Sequence, residues 1–136
     1  GKARAPEAAE PRLADDPKAV LVRARRELHR LLQALARKDW DAALAAVRPD
    51  ASLTTKRFDE WMKPFLAERS SLAAYGDARK AEFTTLKQTG AATWDAWQTL
   101  VDPAGENDWA IEASIDLSGT IDDATPIIAI RSIAPA

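Results

Sequence analysis

Apolar residues recur every third or fourth position from Pro17 to about Lys38 and every second position from Trp94 to Leu117, so helices are expected early and strands late. In the first segment Leu21, Ala24, Leu28, Leu31, Leu32 and Leu35 fall within an arc of about 100°, the single buried stripe of an amphipathic helix. Asp16 supplies an acceptor for the first turn, and Pro17 has its torsion preset for the first helical position. Asp39 is expected to cap a second helix striped by Trp40, Ala43, Leu44 and Val47 and ended by Arg48-Pro49-Asp50. A third starts near Thr54 or Thr55, with Phe58, Trp61, Met62 and Phe65 on one face. Pro64 lacks a backbone donor and its ring crowds the preceding turn, so a kink or break is expected there. Tyr75-Gly76 reads as the end of the helical half.

Four strands are expected after it. Residues 79–88 alternate weakly, whereas residues 93–101 set Trp94, Ala96, Gln98 and Leu100 against Asp95, Trp97, Thr99 and Val101. Trp109, Ile111, Ala113, Ile115 and Leu117 alternate with polar positions, as in a strand with one wet face. Residues 126–134 form a nearly continuous apolar run, as expected of a strand covered on both sides. Asp102-Pro103-Ala104-Gly105 and Asp122-Asp123 supply turns. The pattern predicts an α+β fold of three N-terminal helices packed on a curved four-stranded antiparallel sheet. Residues 1–14 read as a flexible linker or tail and residues 15–136 as a single domain.

Composition narrows the chemistry. The chain has no cysteine, one histidine (His29) and one tyrosine (Tyr75), which excludes disulfides and thiolate sites and leaves little for transition metals. No catalytic residue, cofactor site or metal site is expected, and no phosphate-loop, dinucleotide or nucleophile-elbow motif occurs. No apolar run approaches the roughly 20 residues of a bilayer span, so no membrane partner is expected. The Gly-Lys start reads as the product of removing a leader, a tag or a preceding segment. Cysteine-free composition suits the cytoplasm, and equally a periplasmic or secreted setting.

Net charge is −2, but residues 1–38 carry ten Lys/Arg against five Asp/Glu, and residues 39–136 carry nine against sixteen. The first helix therefore attracts phosphate while the sheet half repels it. Arg23, Arg26, Arg30 and Arg37 lie within about 60° of one another opposite the leucine stripe, a row about 21 Å long at 1.5 Å per residue. Such a row can track a nucleic acid or dock on an acidic protein partner, although Glu27 interrupts it. Charge opposite a core stripe is also the ordinary dress of a surface helix. Trp94, Trp97 and Trp109 are expected in the core rather than stacking bases, with Trp97 either covering helices or sealing a homodimer through the sheet. Asp102, Glu106 and Asp108 share one loop but miss calcium-loop spacing, so Asp102 is expected simply to cap the turn. His29 is expected at the surface or boundary of the first helix.

Residues 94–109, W-D-A-W-Q-T-L-V-D-P-A-G-E-N-D-W, resemble a pattern of one family, W-x-V-R-Q-x-L-x-D-P-x-G-D-x-D-W. The family is the C-terminal domain of uncharacterised function found in bacterial DEAD/DEAH-box helicases of superfamily two. Trp94, Gln98, Leu100, Asp102, Pro103, Gly105, Asp108 and Trp109 match, as do Asp116 and Leu117 in the strand that follows. Trp97 departs from the pattern's Arg and Glu106 from its Asp, while Trp61, Pro64 and Phe65 match only loosely. The resemblance spans about residues 40–134 and implies a domain without the ATPase motifs of the helicase core. The element order also resembles the nuclear transport factor 2-like fold, a cone of curved sheet closed by helices. Ketosteroid isomerase-type members need a tyrosine and acids inside the cone, whereas Tyr75 precedes the sheet, so no catalytic residue carries over. Together these imply a non-catalytic accessory domain of a helicase-like protein that contacts protein or positions nucleic acid through its first helix. The alternative is a stand-alone small-ligand-binding or hydrolase-like cone protein.

Overall fold

Local caps set the helix boundaries in a computed structural model that describes residues 12–119 and 121–136. Helix α1 spans Pro17–Ala36, α2 Trp40–Ala45 and α3 Thr55–Arg69. The Asp16, Asp39 and Thr54 side chains accept from the backbone N–H groups of Ala19, Ala42 and Arg57, each cap contributing about 1 kcal/mol. The end of α1 is a Schellman turn: Lys38 takes a positive φ of 57° and its N–H donates to the Leu35 carbonyl, while Asp39 N–H donates to Ala34. Helix α3 continues through Pro64 instead of breaking. Pro64 is exposed, and Phe58, Met62 and Phe65 are buried in the core, so packing holds the helix across the missing hydrogen bond.

The strands are β1 (Thr84–Gln88), β2 (Thr93–Leu100), β3 (Trp109–Asp116) and β4 (Ala129–Pro135), paired antiparallel in the order β1-β2-β3-β4. The α+β class and the three-helix, four-strand layout are those expected. Two strand boundaries differ. Residues 79–83 belong to two 3-10 turns, Gly76–Arg79 and Ala81–Phe83, so β1 starts at Thr84. The apolar run before residue 129 is not a strand covered on both sides: Ile127 and Ile128 are buried ahead of β4, which itself lies at a sheet edge. A register shift between Glu112 and Ala113 of β3 marks irregular pairing with β4.

One face of the sheet is buried. It presents Trp94, Ala96, Gln98 and Leu100 from β2, and Trp109, Ile111, Ala113 and Ile115 from β3. These join Leu28, Leu31, Leu32 and Leu35 of α1 and Phe58, Met62 and Phe65 of α3 in one cluster. Full burial of each large side chain contributes about 1.5–3 kcal/mol. Phe65 meets Trp109 edge-on at 5.6 Å, locking α3 to the sheet. The polar exception, Gln98, accepts from the Thr84 hydroxyl at 2.6 Å. The other face stays wet: Trp97 is half-buried there, near the pairs that Arg131 makes with Asp95 (3.0 Å) and Glu112 (3.8 Å). Trp97 thus covers no helix. Of the expected tail, residues 1–11 lie outside the described residues, whereas Leu13–Asp15 form a 3-10 turn that buries Ala14. Leu21, expected in the α1 stripe, is 38% exposed, the buried arc of the helix being shifted towards Val20 and Ala24.

Candidate anion-binding groove

Helix α1 carries a second stripe, distinct from its core stripe. Val22, Arg25, Arg26, His29, Arg30 and Gln33 follow the three–four spacing of one helix face, and with Arg79 they line a surface groove of about 480 Å³. The centre of this stripe lies about 60° round the helix from the arginine row expected from sequence. The 3-10 turn Gly76–Arg79 forms the other wall. One Arg25 Nη2 donates to the Arg79 carbonyl at 2.9 Å, and Arg79 Nε donates to His29 Nδ1 at 3.4 Å, tying turn to helix.

His29 is consequently buried, at 6% exposure, rather than placed at the surface. The cover comes from a segment fifty residues away, which no pattern within α1 reveals. Burial, then the Arg79 charge, then the Arg25 charge hold the imidazole below its ordinary pKa of 6.5, so it stays neutral near pH 7. Among the described residues, His29 Nε2 and Arg25 Nε are buried without a hydrogen-bond partner. None of the groove residues is acidic, and among the described residues no carboxylate pairs with Arg25, Arg26, Arg30 or Arg79. Four guanidinium groups and one buried imidazole therefore face a common space with donors and almost no acceptors.

The four arginines picked from sequence divide three ways. Arg26 and Arg30 line the groove and are exposed. Arg37 is the exposed C-cap residue of α1 and is not among the lining residues. Arg23 turns inward, at 7% exposure, and is withdrawn from the accessible row. Its Nε donates to Glu27 at 3.0 Å, and one Nη2 donates to the Asp122 and Thr125 carbonyls at 2.9 and 2.6 Å. Glu27, at 5% exposure, does not interrupt a surface patch: its Oε1 accepts from the backbone N–H groups of Ile127 (2.7 Å) and Ile128 (3.2 Å). Arg23 and Glu27 thus form an internal clamp that seats the segment leading into β4. Arg25 and Arg79 were missed. The repeat 22-25-26-29-30-33 would have flagged Arg25, while Arg79 has no local signal.

The acidic hairpin loop between β2 and β3 closes on itself. Buried Asp102 accepts from the N–H groups of Ala104 (2.9 Å), Glu106 (3.2 Å) and Asn107 (2.9 Å), capping the turn as expected. Arg69 donates to Asp108 at 2.7 Å and lies 3.9 Å from Asp102. Trp109 Nε1 donates to Glu68 at 3.2 Å, a second tie between α3 and the hairpin. These contacts give Asp102 and Asp108 structural work. A wider groove of about 900 Å³ lies beside Leu13, Arg23 and Ile121, where Arg23 is already saturated by its carbonyl and carboxylate partners.

A family model described as Domain of unknown function (DUF3516) matches residues 1–133. No curated protein and no solved structure matches the chain.

Proposed function

We propose, for a chain that belongs to the family described as Domain of unknown function (DUF3516), a non-catalytic accessory role: holding the phosphates of a nucleic acid strand against α1. The observation that carries this reading is the groove itself, with Arg25, Arg26, Arg30 and Arg79 gathered and no acidic residue lining it. The match of Trp94, Gln98, Asp102, Pro103, Gly105 and Trp109 to the helicase-associated pattern supports a place beside a helicase core, and with it a cytoplasmic setting. The order of three helices before a four-stranded meander supports a nuclear transport factor 2-like arrangement. Between helices and sheet the space is occupied by Leu28, Phe58, Phe65 and Ile111, which favours work at the surface over an internal ligand. The wet sheet face, with half-buried Trp97 on it, supports self-association as a secondary contact.

Fluorescence anisotropy with a labelled single-stranded RNA tests this reading. Changing Arg26→Glu and Arg30→Glu together should weaken binding at least tenfold. The slope of log K against log salt should become shallower by about 1.4, from about 0.7 per phosphate contact on single strands. Affinity and slope both unchanged would refute it.

A further inference from the structure

Arg79 Nε carries a hydrogen and has no lone pair to offer, so its contact with His29 Nδ1 fixes where the imidazole proton sits. Nδ1 must accept; the proton of the neutral ring is therefore on Nε2. That Nε2–H is buried and has no partner among the described residues, and Nε of Arg25, which lines the same groove, is in the same condition. Buried donors without acceptors are rare in folded proteins, and two in one groove call for an acceptor from outside. Every charged group in the groove can only donate, and apart from Gln33 the side chains offer no further acceptor. An oxyanion satisfies this donor set, and a ligand that offers only N–H or O–H donors does not. Guanidinium groups approach from α1 and from the facing turn Gly76–Arg79, so acceptors are needed in more than one plane. A tetrahedral phosphate provides that spread, whereas a planar carboxylate does not.

We infer that the groove seats a single phosphate group whose oxygens accept from the surrounding guanidinium groups and from the Nε2–H of a neutral His29. This deepens the nucleic-acid reading, on which it rests for the source of the phosphate. Nε2 has almost no exposed surface, so seating the oxygen requires the side chains around it to part slightly. His29 contributes a short, uncharged donor at the floor, and the arginines contribute the charge.

His29 is the only histidine, so its ring nitrogens give one unambiguous set of NMR signals. The test records long-range ¹⁵N–¹H spectra of the full 136-residue chain at pH 7.5 during titration with inorganic phosphate. Sodium chloride at matched ionic strength is the control. The expected result is an Nε2–H tautomer without phosphate, and a saturable change in the Nε2 signal that chloride does not reproduce. That change should disappear in the Arg26→Glu, Arg30→Glu variant, whose two sites are exposed and whose circular dichroism spectrum should match that of the unchanged chain. An Nδ1–H tautomer, or a response equal to that of chloride, would overturn the inference. A single-stranded RNA titration separates the two claims. RNA binding that needs Arg26 and Arg30 while His29 stays silent overturns the phosphate seat and leaves the nucleic-acid role standing. A His29 response to phosphate without RNA affinity overturns the nucleic-acid role and leaves the seat.

Discussion

Changing Glu27→Ala removes the buried carboxylate that Arg23 meets at 3.0 Å and the acceptor for two backbone N–H groups. Arg23 would stay buried with exposed Asp123 at 3.9 Å as its remaining counter-charge, and Ile127 and Ile128 would each keep an orphan donor. Breaking a buried pair from one side costs about 3–5 kcal/mol, and each orphaned N–H alone would cost about 1–3 kcal/mol. The three losses share one carboxylate and do not add, so we expect a total near 4 kcal/mol. That is a large part of the 5–15 kcal/mol available to a domain, and about 3–5 °C per kcal/mol puts the drop in Tm near 12–20 °C. Glu27→Gln keeps an acceptor for the amides and should lose about half as much. Urea unfolding followed by circular dichroism measures both, and amide exchange should show residues 127–130 opening first. An apolar pair, Arg23→Met with Glu27→Leu, should lose less than Glu27→Ala alone, because no charge is left unpaired. A loss below about 1 kcal/mol for Glu27→Ala would refute the clamp.

Three further outcomes follow from particular contacts. Lys38→Gly should stabilise the fold by about 1 kcal/mol in urea titrations, since a side chain at φ 57° carries a steric cost that glycine avoids. Burial opposes ionisation of Asp102, but the N–H groups of Asn107, Glu106 and Ala104 and the charge of Arg69 outweigh it and hold its pKa below 3.8. Its stabilisation is therefore complete well above pH 3.8 and drains as pH falls through that value towards the folded pKa; Asp102→Asn should flatten this acid limb of the stability curve. His29 has its pKa depressed below 6.5, so the unfolded chain takes up the proton first and stability falls as pH drops from 6.5 towards the folded value. Opposite Arg79 and Arg25, His29→Gln should abolish that component, and an unchanged pH profile between 7 and 5 would show that the imidazole is not buried neutral.

Sequence made the local rules visible and the tertiary ones obscure. Caps at Asp16, Asp39 and Thr54 and the alternation from Trp94 to Leu117 depend on neighbours a few residues away, and each falls where expected. The helix does not break at Pro64, because the local cost is offset by Phe58, Met62 and Phe65 packing in the core shared with the sheet. The candidate site was half legible. Helical spacing brought Arg26 and Arg30 forward, but helical wheels assign polar residues to water and cannot show a buried ion pair such as Arg23 with Glu27. The partners of that pair lie about a hundred residues on, at Asp122, Thr125, Ile127 and Ile128. His29 was misplaced for the same reason, its cover being the turn that carries Arg79.

The central claim is that location, and not net charge, lets this domain hold phosphate. Two variants with the same change in charge test it: Arg26→Glu with Arg30→Glu in the groove, and Lys56→Glu with Lys87→Glu on α3 and β1, all four positions exposed. Single-stranded RNA affinity at fixed salt should fall at least tenfold for the groove variant and less than threefold for the other. Equal losses in the two variants would contradict the account.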